Sequence, residues 1–117
     1  MARAIVNVPA TVKRGEIVEI KTLIQHVMET GFRRTQLGIA IPRDIIRQFV
    51  CAYNGAEVFR VEFHPAVSAN PLLTFTTVAT ESGTITFSWT GDKGFAVTES
   101  ATIQNVFVTN AVTPGAL

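Results

Sequence analysis

The chain has little cysteine and little charge. Cys51 is the only cysteine among 117 residues, which excludes an internal disulfide. Charged residues make up 16%, and ten Lys and Arg nearly balance nine Asp and Glu. No basic stretch interleaves with aromatic residues as nucleic-acid binding would require. We therefore expect no nucleic-acid partner.

Long apolar runs are also absent. No segment approaches the roughly 20 apolar residues of a transmembrane helix, so we expect no membrane association. The N-terminal residues lack the apolar stretch and cleavage site of a signal peptide, which taken alone indicates the cytoplasm. At 47% hydrophobic residues the chain should fold, and its length fits one domain. We place the domain at residues 1–105, with residues 106–117 extending the last strand into a tail.

Short alternating runs of apolar and polar residues indicate an all-β fold. In residues 84–90, Ile85, Phe87 and Trp89 alternate strictly with Ser or Thr, which is typical of a half-buried strand. Asn54-Gly55 between two such runs indicates a hairpin. The chain therefore predicts an immunoglobulin-like β-sandwich of about seven strands, with Trp89 in the core. The predicted strands are residues 3–8, 16–25, 45–53, 57–63, 72–80, 84–90 and 95–103.

Residues 45–53 fit two structures. Apolar residues recur at helical spacing behind a Pro-Arg-Asp sequence that is typical of a helix start. The same segment leads directly into the Asn-Gly turn. A strand apolar on both faces would give this pattern if another chain covered its outer face. We interpret the segment as a strand.

The residues form no recognisable catalytic or metal-binding motif. His26 and His64 are far apart and lack the ligand spacing of a zinc site, so we expect neither a metal nor a cofactor. Cys51 has no flanking His or Asp and alternates with Phe49 and Tyr53, which favours a buried structural thiol. We predict a non-catalytic protein. An enzyme that uses Cys51 is the alternative, and it requires a low thiol pKa.

The connection at residues 26–44 is too long for a simple turn. Its adjacent arginines, Arg33 and Arg34, suit the oxygens of an anion or a carboxylate, and its apolar residues suit a protein partner. A solvated surface loop is an equally good interpretation.

Six short motifs occur in an order and spacing that are specific only when taken together. They are HVMETGFRR at 26–34, IPRDII at 41–46, YNGAEVF at 53–59, ANP at 69–71, TESG at 80–83 and FSWT at 87–90. Together they resemble the SoxZ family, and the resemblance covers residues 3–103.

The resemblance implies an immunoglobulin-like sandwich that forms a heterodimer with SoxY. The C-terminal Gly-Gly-Cys-Gly-Gly arm of SoxY carries sulfur intermediates among the enzymes of periplasmic thiosulfate oxidation. It further implies a non-catalytic subunit with transient contacts to other Sox enzymes. Export together with SoxY would place the chain in the periplasm and replaces the cytoplasmic interpretation. The tail beyond residue 105 contains no cysteine, so this chain is not the carrier itself.

The resemblance leads us to expect two groups of partner-binding residues. The first group should lie beside the carrier arm or an incoming enzyme: His26, Met28, Glu29, Arg33 and Arg34. The second group should lie in the subunit interface or the adjacent core: Phe49, Cys51 and Tyr53. Two alternatives stay open, namely the partner subunit of a related carrier complex in another pathway and a stand-alone β-sandwich binding module.

Overall fold

The computed structural model describes residues 4–106, which form eight strands in two sheets. The strands are β1 Ala4–Asn7, β2 Thr11–Lys13, β3 Ile17–Ile24, β4 Ile46–Tyr53, β5 Ala56–Glu62, β6 Leu72–Val78, β7 Gly83–Gly91 and β8 Ala96–Val106. Within this range the only helical element is a 3-10 turn at Asp92–Gly94. No helix here has the length and hydrophobicity that crossing a bilayer requires. The predicted all-β class and immunoglobulin-like sandwich are confirmed.

One sheet has three strands in the order β1-β3-β6, and the other has five in the order β2-β8-β7-β4-β5. All pairs are antiparallel except β2 with β8. The core lies between the sheets and contains the fully buried Phe49, Phe87 and Trp89. The Phe49 ring lies 5.0 Å from Trp89 and 6.3 Å from Phe87, measured between centroids. Trp89 therefore belongs to the core, as its alternation with Ser and Thr predicts.

Residues 46–53 form a strand, so the helical interpretation of the spacing in residues 45–53 is excluded. Strand β4 pairs with β5 on one side and with β7 on the other. It ends in the predicted hairpin turn, where Asn54 has φ 50° and Gly55 has φ 85°. Both residues thus adopt the left-handed conformation that a type I′ turn requires.

Strand β2 was missed by the sequence analysis. Strand β1 ends at Asn7, one residue before the predicted end, and the chain then crosses to the other sheet, where Thr11–Lys13 pairs in parallel with the end of β8. Val12 is buried there. A strand of three residues is too short for an alternation to be recognised, and its partner lies at the far end of the chain.

Strand β8 runs from Ala96 to Val106, from the predicted strand at residues 95–103 to the first residue of the predicted extension. The rest of the predicted tail, residues 107–117, lies outside the described residues, as do residues 1–3.

Candidate functional site

The long connection between β3 and β4 is closed at its base by His26 and Asp44. The His26 side chain is 6% exposed, and its Nε2 lies 3.6 Å from Asp44 Oδ1. Its Nδ1 accepts a hydrogen bond of 2.9 Å from the Met28 N–H, and the ring meets Phe95 edge-on. Because both ring nitrogens already have neighbours within the chain, His26 holds the connection in place and is not an open ligand.

Met28 and Glu29 also hold the base of the connection in place. The Met28 side chain is buried, and its sulfur accepts a hydrogen bond from the Ile46 N–H at 3.3 Å. Its φ of 51° is uncommon for a residue with a side chain. Glu29 and Asp44 exchange two backbone hydrogen bonds of 2.8 Å. The structure therefore brings three residues of the first predicted group together as a support for the connection.

The two arginines of the first group do not converge on a common anion. Arg33 donates to both carboxylate oxygens of Glu29, and this hydrogen bonding lowers the pKa of Glu29 below its usual range. Arg34 donates instead to the backbone oxygen of Gly38 at 2.9 Å. The adjacent arginines thus bond to two different groups within the connection. Of these two, Arg33 has a carboxylate partner and Arg34 has none within residues 4–106.

Residues 32–41 form a small hairpin inside the connection, which we call the 32–41 hairpin. The Thr35 N–H donates to the Ile39 oxygen at 2.8 Å, and the Ile41 N–H donates to the Arg33 oxygen at 2.9 Å. The sequence analysis missed this element. Its signal was a run of apolar residues around Gly38 in a segment without acidic residues.

The second predicted group lies in the core of the chain itself. Phe49 and Cys51 are fully buried between the sheets, and Tyr53 is 6% exposed. The Tyr53 hydroxyl donates to the backbone oxygen of Glu81 and so links β4 to the segment before β7. Of the two locations expected for this group, the subunit interface or the adjacent core, these side chains lie in the core. The residues of β4 that face outward are Gln48, Val50 and Ala52.

Cys51 is in an environment that disfavours the thiolate. Burial raises the pKa of the thiol to about 11. A nucleophilic cysteine requires the opposite shift. In addition, residues 4–106 contain no group of three or more His, Cys, Asp or Glu side chains that could hold a metal ion. Burial and the raised pKa both disfavour Cys51 as a nucleophile.

The outward residues of β4 from Gln48 to Ala52, of β7 from Thr86 to Thr90 and of β8 from Ala96 to Ser100 carry no charge, and we call this patch the neutral face; the exposed Arg47 at the start of β4 borders it. Cross-strand pairing arranges it in three rows, which are Gln48-Thr90-Ala96, Val50-Ser88-Thr98 and Ala52-Thr86-Ser100. Its side chains are small or neutral, and Val50, Ala52, Thr86 and Ser88 are only partly exposed. At the edge of the sheet, β5 supplies the Arg60–Glu57 ion pair, with N and O atoms 2.8 Å apart. Depletion of charge at the centre is one feature that this face shares with protein interfaces.

A cleft of about 420 Å³ lies at the start of β4. Its charged lining residues are Arg43, Arg47 and Glu62, with His64 beside them. Arg43 already forms a two-bond ion pair with Asp92. The remaining charges are of both signs, so the cleft has no clear preference for an anion or a cation.

Comparison with known protein families shows to which family the chain belongs. It matches the family model described as sulphur oxidation protein SoxZ over residues 6–102. The chain belongs to the SoxZ family. All six motifs of the resemblance lie within the matched range, and the family implies a partner in sulfur oxidation.

Solved structures of other proteins have a fold similar to that of this SoxZ-family chain. Superoxide reductase (neelaredoxin) from Ignicoccus hospitalis is 16% identical, with a TM-score of 0.66 over 88% of this chain and 79% of that one. A CARDB domain from Pyrococcus furiosus, solved with two metal ions, is 14% identical, with a TM-score of 0.51 over 91% and 94%. At these identities the likeness shows the fold alone. No curated protein sequence gives a significant match.

Proposed function

We propose that this chain is the non-catalytic subunit of a SoxY-like sulfur carrier complex. In this role it binds and stabilises the carrier as a heterodimer and helps to present the carrier arm to Sox enzymes. Family membership supports a role in sulfur oxidation. The neutral face is the structural observation that carries the pairing, because an uncharged face can be covered without the cost of removing charges from water.

The chemistry of sulfur transfer belongs to the partner in this proposal. Cys51 is fully buried, and its raised pKa keeps the thiol protonated at neutral pH. The His26 ring is enclosed at the base of the connection. Neither side chain is positioned to attack or hold a sulfur intermediate on a carrier arm.

We also propose that the chain works in the periplasm and is exported together with its carrier subunit. The proposal follows from the family and from the need to meet the carrier where thiosulfate is oxidised. Fractionation of cells that express both subunits, compared with cells that express this chain alone, tests it. Periplasmic recovery that depends on the carrier subunit is the expected result.

Co-expression with the SoxY-like subunit, followed by size-exclusion chromatography with light scattering, tests the pairing. A 1:1 heterodimer that survives dilution is expected. Ser88→Arg places a charge at the centre of the neutral face and should prevent the complex. The matched control is Thr76→Arg, on the exposed face of the other sheet. Thermal unfolding of each free variant establishes that the fold is intact.

One result would contradict the proposed partnership, and another would contradict only the proposed pairing surface. If the native chain stays monomeric and ignores the carrier subunit, the stand-alone binding module takes its place. If both arginine variants bind as well as the native chain does, the pairing surface is not the neutral face, although the partnership stands.

A further inference from the structure

The 32–41 hairpin is held in a defined shape by its own hydrogen bonds. The Thr35 hydroxyl oxygen accepts from the N–H groups of Leu37 and Ile39. Gly38 has φ 83°, and its backbone oxygen accepts from the Arg34 guanidinium. Because these contacts fix the backbone of the hairpin, its side chains have a defined arrangement.

The side chains that it presents are apolar. Leu37 is 86% exposed, Phe32 is 82% exposed and Ile39 is 60% exposed. Single exposed apolar residues are ordinary, but three within eight residues on one ordered projection are typical of a protein contact. Burial of such anchors in a pocket is a common source of binding energy at interfaces.

The charge of the hairpin argues against a membrane surface as its target. Residues 30–43 contain Arg33, Arg34 and Arg43 and no acidic residue. Glu29 pairs with Arg33 and Asp92 pairs with Arg43, which leaves one uncompensated cation, Arg34. Recognition of anionic lipid usually requires a cluster of roughly four to eight basic residues.

The connection leads from this hairpin directly into β4, one of the three strands of the neutral face. Asp44 closes its base two residues before β4 begins at Ile46. The outward residues of β4, Val50 among them, belong to the neutral face. A partner that covers the neutral face would therefore lie next to the segment that carries the hairpin.

We propose that the 32–41 hairpin inserts Leu37 and Ile39 into an apolar groove of the SoxY-like carrier subunit, with a carboxylate at the groove rim facing Arg34. This inference rests on the proposed function and adds a second contact to the neutral face. The hairpin then fixes the orientation of the two subunits, because a flat face alone permits sliding whereas an inserted projection does not.

The test compares two double variants for binding to the purified carrier subunit by calorimetry. Leu37→Ser/Ile39→Ser removes the anchors and should weaken binding at least tenfold. Gln36→Ser/Ala40→Ser changes two exposed neighbours on the same hairpin and should leave the affinity within about twofold. Both free variants should unfold at the native temperature, because the four side chains are exposed. Native binding should also weaken as NaCl is raised, since Arg34 faces a carboxylate.

The outcomes separate this inference from the proposed function. If the native chain binds the carrier and the anchor variant binds equally well, only the hairpin contact is wrong. If the native chain does not bind at all, the proposed function fails and the inference fails with it. Vesicles of phosphatidylglycerol and phosphatidylcholine serve as the lipid probe. Co-sedimentation of the native chain but not of the anchor variant, with unchanged carrier affinity, would overturn the inference in favour of a membrane surface.

Discussion

Phe59 and Phe75 stack face to face, with ring centroids 4.2 Å apart and planes 7° from parallel, although their strands belong to different sheets. Phe59 lies on β5, the edge strand of the larger sheet, and Phe75 lies on β6, an edge strand of the smaller one. The two strands are not hydrogen-bonded to each other. The ring pair therefore closes the sandwich on a side where no backbone ladder does so.

Replacement of Phe59 should weaken the packing between the two sheets on this side of the sandwich. We expect Phe59→Ala to lower the free energy of unfolding by about 2–3 kcal/mol, which is less than for a fully buried Phe because Phe59 is partly exposed. Phe59→Leu keeps most of the volume and should cost less than about 1.5 kcal/mol. Urea unfolding measures both. Equal losses for the two variants would contradict this expectation, because they would show that the stacked ring itself matters more than the filled space.

The side-chain amide of Asn54 occupies the space that a β-carbon at Gly83 would need. Its Oδ1 accepts a hydrogen bond of 2.9 Å from the Thr84 N–H. Gly83→Ala should therefore destabilise the chain by about 1–3 kcal/mol through overpacking. In an Asn54→Gly background, which suits the positive φ of the turn, the same change should cost clearly less. Additive losses in this double-mutant cycle would contradict the steric explanation.

The Cys51 thiol should resist alkylation in the folded chain. Iodoacetamide at pH 8 should label it in urea but not in native buffer, because the side chain is buried and its pKa is raised to about 11. Rapid labelling of the native state would instead favour a reactive thiol. Mass spectrometry of the intact chain gives the result directly.

The same shift makes stability depend on alkaline pH. The unfolded thiol loses its proton near pH 9, whereas the folded thiol keeps it up to about pH 11. The contribution is therefore complete below about pH 9 and is lost as pH rises through the folded pKa. The unfolding temperature of the native chain should fall more steeply between pH 9 and 11 than that of Cys51→Ala. Parallel curves would count against the shift.

Asp92 should affect stability at acid pH. Its carboxylate accepts two hydrogen bonds from Arg43, which lowers its pKa below the usual range. The contribution is thus present above the unfolded pKa and is lost as pH falls through the folded one. Asp92→Asn and Arg43→Gln should each reduce the loss of unfolding temperature between pH 7 and pH 2.5. An unchanged loss in both variants would show that the ion pair is not a source of this dependence.

The parts of the fold that sequence reasoning recovered are those in which one face is buried along a whole strand. In β7, Ile85, Phe87 and Trp89 are buried and alternate with polar residues over the whole strand, so the alternation indicates its direction and its inner face. In β2, only Val12 is buried, and the strand exists because β8 lies beside it. A pairing over such a sequence distance has no local signal.

The candidate site was harder to predict for a related reason. Alternation places Phe49, Cys51 and Tyr53 on one face of β4, but it does not say whether that face meets the chain's own second sheet or another protein. Adjacent arginines suggest a joint anion site, whereas Glu29 four residues before Arg33 forms the actual pair. The 32–41 hairpin is exposed because of the way in which the connection folds back at its base. No periodic pattern in the sequence predicts that fold-back.

The parallel pairing of β2 with β8 also bears on how the chain acquires its structure. Strand β2 ends at Lys13, and its partner ends at Val106, so the larger sheet joins residues from nearly opposite ends of the domain. Pairings of such long sequence separation slow folding, with milliseconds to seconds typical of all-β sandwiches. On the ribosome, the edge strand β2 must wait for the last strand to emerge. The larger sheet can therefore be completed only after synthesis of the domain is finished.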